Sequence, residues 1–233
     1  MEFSDNNDSI REFISIAVHD LREPLRAIRT SSELIATRCS NVTDETVTRS
    51  VRYVQEGVDR MESLIRDLSE LCYEETREFS RVPVSLSEAL REAQAQVTGQ
   101  LNKNAPTVSS GPLPAVSGDG SALTILFRCL LDNSCKFHGD ASVCIHVTAD
   151  STGGEWLISV RDNGIGFKPE YNDRIFKPFE RLNGKKYPGS GLGLALAKRI
   201  VERHSGRIRA EGSPGQGTTI WFTLPQSPLG GAE

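Results

Sequence analysis

The sequence predicts two unlike domains: an all-α helical hairpin that pairs with a second copy into a dimeric four-helix bundle, followed by an α+β two-layer sandwich. Three observations carry this. Apolar residues recur every seven positions from Ile14 to Ile35 and again from Val47 to Leu68. That period stops near Phe79 to Pro83. Beyond it, short alternating runs interleave with apolar helical ones, the pattern of a sheet covered on one face. The expected divisions are residues 1–80, 81–227 and a tail at 228–233.

In the first helix Ile14, Leu21, Ile28 and Ile35 form the expected buried seam, which places His19 on the outer face within reach of a partner. Pro24 withholds the amide that would bond the carbonyl of Asp20, so a bend is expected one turn after His19. A polar connector lies near Ser40 to Asp44. The second helix repeats the step with Val47, Val54, Met61 and Leu68, broadened by Val58, Leu64, Ile65, Leu71 and Cys72. One apolar stripe per helix buries too little surface for a lone hairpin, so a homodimer is expected.

In the second domain Val82, Val84 and Leu86 alternate, and Ser87 is expected to cap a helix running to about Asn104. Pro106, Pro112 and Pro114 mark a loop-rich passage, after which Asp119 starts an apolar helix to about Phe137. Val143, Ile145 and Val147 read as a strand, Gly153 and Gly154 as a turn, and Trp156, Ile158 and Val160 as its hairpin partner. A long polar loop leads to a helix from Leu192 to His204, then a closing hairpin of Arg207 to Glu211 and Thr218 to Leu224.

Composition removes several function classes. The 233 residues carry a net charge of -4, with no basic surface that argues for nucleic acid or an anionic membrane. The five cysteines lie at 39, 72, 129, 135 and 144 without CxxC spacing, which fits a reducing cytoplasm better than a disulfide framework or zinc site. The longest apolar run, Ala122 to Leu131, is interrupted by Arg128 and is too short to cross a bilayer. Met1 to Phe3 reads as a cloning remnant, with an upstream sensor domain expected in the natural chain.

The chemistry concentrates at four places. DNGIG, Asp162 to Gly166, ends a strand; Asn163 with Gly164 is by itself a hairpin-turn signal, and alternatively Asp162 is a pocket acceptor for an adenine amine beside two glycines that admit close approach. GSGLGLA, Gly189 to Ala195, opens a helix, either as a flexible entry or as a phosphate cradle of helix-start amides. LLDNSCKF, Leu130 to Phe137, puts Asn133 and Lys136 on one helix face. They either cap the helix end or hold magnesium, through the Asn133 carbonyl, and phosphate. GQGTTIWF, Gly215 to Phe222, reads as a hairpin turn with no ligand contact. The segment from Gly166 to Gly189 is too long for a turn and suits a lid or a disordered loop.

In this order, after HDLREPL at His19, these motifs resemble the sensor histidine kinases of two-component systems over nearly the whole chain, nearest to the phytochrome-type transmitter modules. Phe176, Phe179 and Arg181 in IFKPFERL match the phenylalanine box of that family. The resemblance implies a dimerisation and phosphotransfer domain joined to an ATP-binding domain of the Bergerat (GHKL) type shared with gyrase, Hsp90 and MutL. It implies that His19 accepts phosphate from Mg-ATP and Asp20 orients it and takes its proton. Asn133, Lys136, Asp162, Gly164, Gly166, Phe176, Arg181, Gly189, Gly191, Leu192 and Gly193 would line the nucleotide site, with Arg181 at the γ-phosphate and Asn133 on Mg2+. A response regulator receiver domain is the implied partner.

Two residues depart from the family pattern. Cys129 stands where relatives carry a second asparagine, and a thiol suits a hard cation poorly. Glu23 stands where bifunctional members place a threonine or asparagine, so weak phosphatase activity is expected. Besides the kinase, two other readings are open: a degenerate kinase acting as a dimeric docking scaffold, and a Bergerat-type ATPase working as a clamp.

Overall fold

The computed structural model describes residues 21–22, 24–37, 45–99, 106–182, 187 and 189–226. The chain divides into two compact units, Met1–Thr76 with Pro188–Ser190 and Arg77–Tyr187 with Gly191–Glu233. His19, Asp20, Glu23 and the Ser40 to Asp44 connector fall outside the described residues, and so does the bend expected from the Asp20 carbonyl.

The first unit holds helix α1, residues 24–37, and helix α2, Glu45–Thr76. Heptad spacing builds both, and the stripe that joins them uses the broadened edge of the expected one in α2 and a different residue in α1. Leu25, Val58 and Ile65 form the buried cluster, with Ser32 buried beside the α1 stripe, whereas Leu21, Ile28, Ile35, Val54 and Met61 are exposed. In α2 the intrachain contact uses Val58 and Ile65 from the broadened stripe, while in α1 Leu25 lies four residues on from Leu21; of the seven-residue step, Val47 and Leu68 are half-buried and the exposed residues face outward on a single chain. Arg29 of α1 bonds Glu62 and Asp59 of α2 at 2.6–2.9 Å, and those two carboxylates, Glu62 first, hold its guanidinium above its usual range. Among the described residues no helix is long and apolar enough to cross a membrane.

The second unit begins with β1, Val82–Ser85. Helix α3, Leu86–Thr98, follows at once, because the Ser85 hydroxyl accepts from the Glu88 amide. The cap is therefore Ser85, two residues before the expected Ser87, and the helix closes with Gly99 rather than reaching Asn104. The proline-marked passage contains two four-residue strands, β2 (Thr107–Ser110) and β3 (Ala115–Gly118), too short to show a period. Helix α4, Gly120–Lys136, is followed by β4 (Cys144–Thr152), β5 (Glu155–Asp162), α5 (Gly193–Arg203), β6 (Ile208–Gly212) and β7 (Thr218–Pro225).

β1 and β3 pair as an antiparallel ribbon, and the main sheet runs β2-β4-β5-β7-β6. Only β2 and β4 are parallel there, so the sheet is mixed as expected. The inward residues Ile145, Val147, Ile158, Val160, Ile220, Phe222 and Leu224 are buried under α3, α4 and α5. Phe127 of α4 meets Phe222 of β7 edge to face at 6.0 Å. Both rings are fully buried, and truncating either to alanine removes about 3–5 kcal/mol.

At the start of α4 a polar cluster is sealed inside this unit. Arg77 donates two bonds, 2.6 and 2.7 Å, to Asp119, which also accepts from Ser121 and from the Ala122 and Ser80 amides. Burial pushes the Asp119 carboxyl up, but Arg77 and the other donors together hold it well below the usual carboxylate range. The Asp119 amide donates to Nε2 of His204, whose Nδ1 faces the Ile200 carbonyl at 2.8 Å, so the ring is neutral with its proton on Nδ1. Phe79 stands edge-on to that ring at 4.6 Å.

Candidate functional site

β5 ends at Asp162, and the chain cannot continue as a strand because Asn163 turns its side chain onto neighbouring backbone. Asn163 accepts from the Cys144 amide at 2.8 Å and donates to the Ser142 carbonyl at 2.9 Å. The DNGIG segment is therefore a pinned corner and not the hairpin turn its Asn-Gly pair suggests. A Cβ on Gly164 would lie 2.4 Å from the Phe137 carbonyl oxygen, and one on Gly217 would lie 2.0 Å from that of Asp162. Both positions need glycine because the backbones meet.

The corner delivers Asp162 into the interior beside α4. Its Oδ1 accepts from the amides of Gly164 at 2.8 Å and Thr218 at 3.0 Å, and its Oδ2 faces the Ser134 hydroxyl at 3.2 Å. Burial raises its pKa, and these three neutral donors offset only part of the rise. Such a carboxylate, lacking a cationic partner among its donors, suits recognition of a neutral amine.

Asn133, half-buried, precedes Ser134 on the last turn of α4, and Lys136 donates to Asp132 at 2.6 Å. Phe137, which follows the helix, stacks obliquely on Tyr187 at 5.3 Å. Cys129, one turn before Asn133, is buried. Burial, with Asp132 nearby, pushes the Cys135 thiol up to about 11.

From Gly166 the chain passes through two single turns, Pro169–Tyr171 and Arg174–Phe176, the second burying Phe176. Phe179 is exposed and left-handed, φ 63°, and its amide donates to the Gly191 carbonyl at 3.0 Å. A Cβ on Gly191 would come within 2.9 Å of Phe179 backbone, so the glycine box and the phenylalanine box are fitted to one another. Arg181 donates to the Tyr187 carbonyl. No side chain caps α5 at Leu192, and a Cβ on Gly193 would meet nothing within 4 Å, so packing does not demand glycine at this helix start.

Hydrogen bonds thus bring Asp162, Ser134, Gly164 and Thr218 together, and Phe179 with Gly191. Thr218 and Ser134 escaped the sequence reading. The GQGTT glycines signalled only a turn, yet Gly217 and Thr218 close the Asp162 corner from β7. Ser134 has no motif beyond adjacency to Asn133. Among the described residues no group of three or more His, Cys, Asp or Glu side chains could hold a metal. The oxygen of Asn133, together with phosphate and water, is a donor set that fits magnesium, which keeps much of its hydration.

Comparison with known proteins agrees with this arrangement. Residues 118–228 match the family described as histidine kinase-, DNA gyrase B-, and HSP90-like ATPase, and residues 9–72 match the His Kinase A (phospho-acceptor) domain. Cyanobacterial phytochrome A of Nostoc sp. is 34% identical over 229 residues, covering 98% of this chain and 30% of that protein. Phytochrome-like protein Cph1 of Synechocystis sp. is 34% identical over 221 residues, 94% of this chain and 30% of that protein. Full-length ShkA in complex with AMPPNP superposes with a TM-score of 0.66 at 26% identity, covering 92% of this chain and 45% of that one. The chain therefore spans 30% of the length of these two curated relatives.

Proposed function

The chain belongs to the sensor histidine kinases, as a transmitter module, and on that premise we propose that it autophosphorylates His19 from Mg-ATP and passes the phosphoryl group to an aspartate on a response regulator receiver domain. The observation that carries the nucleotide half is Asp162: a buried carboxylate whose donors are two amides and a hydroxyl, with no cation among them.

In this reading Asp162 accepts the exocyclic amine of adenine. Gly164 and Gly166 let the Asp162 corner pack against the backbone of Phe137 and Ser213, which fixes the acceptor, and Gly191, Leu192 and Gly193 present helix-start amides to the phosphates. Lys136 and Arg181 balance phosphate charge, and Phe176 anchors the base of the lid. Magnesium, when bound, neutralises charge on the phosphate oxygens, and Asn133 would help hold it. Neutral His19 meets the γ-phosphorus in line; the P–N bond forms as the P–O bond to ADP breaks, and the imidazole proton passes to Asp20. The exposed apolar residues Leu21, Ile28, Ile35, Val54 and Met61 support a homodimer. The upstream sensor domain and a cytoplasmic site of action belong to the same reading.

Incubation with magnesium and γ-labelled ATP, beside His19→Ala, tests it. Acid-labile, alkali-stable label absent from the variant is the expected result; label retained in the variant overturns it. Cys129 favours a second reading, a degenerate kinase serving as a dimeric scaffold. A rise in label on Cys129→Asn supports impaired catalysis, whereas nucleotide binding without label in either protein supports the scaffold.

A further inference from the structure

We propose that Ser134 is a positioning residue for base selection: its hydroxyl orients the Asp162 carboxylate so that a single lone pair on Oδ2 faces the pocket, and this sets the preference for a purine bearing an exocyclic amine over one bearing a carbonyl. The proposal rests on the assignment of Asp162 as the adenine acceptor.

A carboxylate offers about four in-plane acceptor positions. Two, on Oδ1, are taken by the Gly164 and Thr218 amides, and Ser134 faces Oδ2 at 3.2 Å. One remains. The Ser134 hydroxyl has one proton and two acceptors in reach, Asp162 and the Leu130 carbonyl at 3.1 Å. That carbonyl already accepts a helical amide bond, and an ionised carboxylate is the stronger acceptor, so the proton goes to Asp162. Ser134 is itself 3% exposed, so its hydroxyl bonds within the protein rather than to bulk solvent.

The consequence concerns protonation as well as direction. The groups facing Asp162 are an amide from its own corner, an amide from β7 and a hydroxyl from α4; the nearest charged residues on α4, Asp132 and Lys136, pair with each other. Without the hydroxyl, burial goes less opposed and Asp162 takes a proton more readily. A protonated acid donates, which suits a carbonyl at the purine 6-position.

The test is calorimetric titration of the full chain with Mg-ADP and Mg-IDP between pH 5 and 8. Ser134→Ala deletes one oxygen from a helix in favour of its best former, so the fold is kept. The expected result is ADP binding weakened about tenfold at neutral pH, as for loss of a charged-group hydrogen bond. The acid limb should move to higher pH and the ADP-to-IDP ratio should narrow, with Ser134→Thr restoring both. An unchanged acid limb and ratio in Ser134→Ala overturns the role of Ser134. Unchanged ADP binding in Asp162→Asn overturns the pocket assignment beneath it, and the two failures are distinct.

Discussion

Asp119 and Asp162 are two buried aspartates of the second unit, 3% and 8% exposed, at opposite ends of α4. Each accepts several hydrogen bonds, yet the first is held far below the usual carboxylate range and the second is raised above it. Burial pushes both up, Asp162 more strongly. Arg77 also brings a full positive charge into the Asp119 cluster, whereas Asp162 has only neutral donors. A carboxylate matched by its own guanidinium is structural; in the proposed function the one left without a counter-charge is the ligand's acceptor. The two should respond to mutation in opposite ways.

Asp119→Ala should have the largest effect. It strands the Arg77 guanidinium and removes the α4 cap, a loss of about 3–5 kcal/mol for half of a buried pair. Melting should fall by roughly 10 °C at this chain length. Mg-ADP affinity, measured below the transition, should stay within about twofold, since 1.4 kcal/mol is needed for tenfold. Arg77→Met together with Asp119→Ala should recover part of the loss, because no charge is then left unpaired. A tenfold drop in affinity with unchanged melting would erase the distinction between the clusters.

Asp162→Asn should invert that pattern. The amide oxygen still accepts from Gly164 and Thr218, and the amide nitrogen can donate to Ser134, whose proton then turns to Leu130. The fold is kept and a desolvated charge is removed. The vacated acceptor is replaced by a donor facing an amine, so Mg-ADP should bind about 100-fold more weakly, roughly 2.7 kcal/mol. Calorimetry with parallel melting curves checks both halves.

The contrast was half visible in the sequence. Asp162 could be picked out because glycines flank it, and glycine needed for backbone approach leaves a mark. Asp119 was read correctly as the start of α4, yet its partners could not be, because Arg77 and His204 lie 42 and 85 residues away and pair through the fold. Strands β2 and β3, four residues each, carry no readable period. The helical seam was legible as a period but not as a partner. Leu21 and Leu25 are both apolar, and only packing shows that Leu25 meets Val58 and Ile65 while Leu21 stays exposed.

Acid should separate the two clusters in sequence. Burial, assisted by Arg81 and Arg203, keeps His204 neutral and its pKa below the ordinary value, despite the Ile200 carbonyl and Asp119. The unfolded chain therefore takes up a proton that the folded ring refuses, and stability falls as pH drops below about 6.5. Asp119, depressed when folded, contributes stability above about pH 3.9 that is lost as pH falls further toward its folded value. Asp162 has the opposite sign: its raised value favours the fold in acid and costs stability as pH rises through it, while protonation removes the amine acceptor. Mg-ADP binding should therefore fail at a higher pH than unfolding, and His204→Gln should flatten the melting-temperature slope between pH 5 and 6.5. Coincident loss of binding and fold would contradict the assignment.

Arg29 sharpens the comparison from a third direction with the smallest effect. Its bonds to Glu62 and Asp59, 2.6–2.9 Å, are as short as those of Arg77, but its side chain is 35% exposed against 14% for Arg77. Water already solvates both partners when the pair is broken, so no buried charge is stranded. Arg29→Met should cost about 0.5–1 kcal/mol at low salt and less at high salt, where screening takes most of what remains. If it destabilised as much as Arg77→Met, geometry rather than desolvation would govern these pairs, and the different behaviour of Asp119 and Asp162 would need another cause.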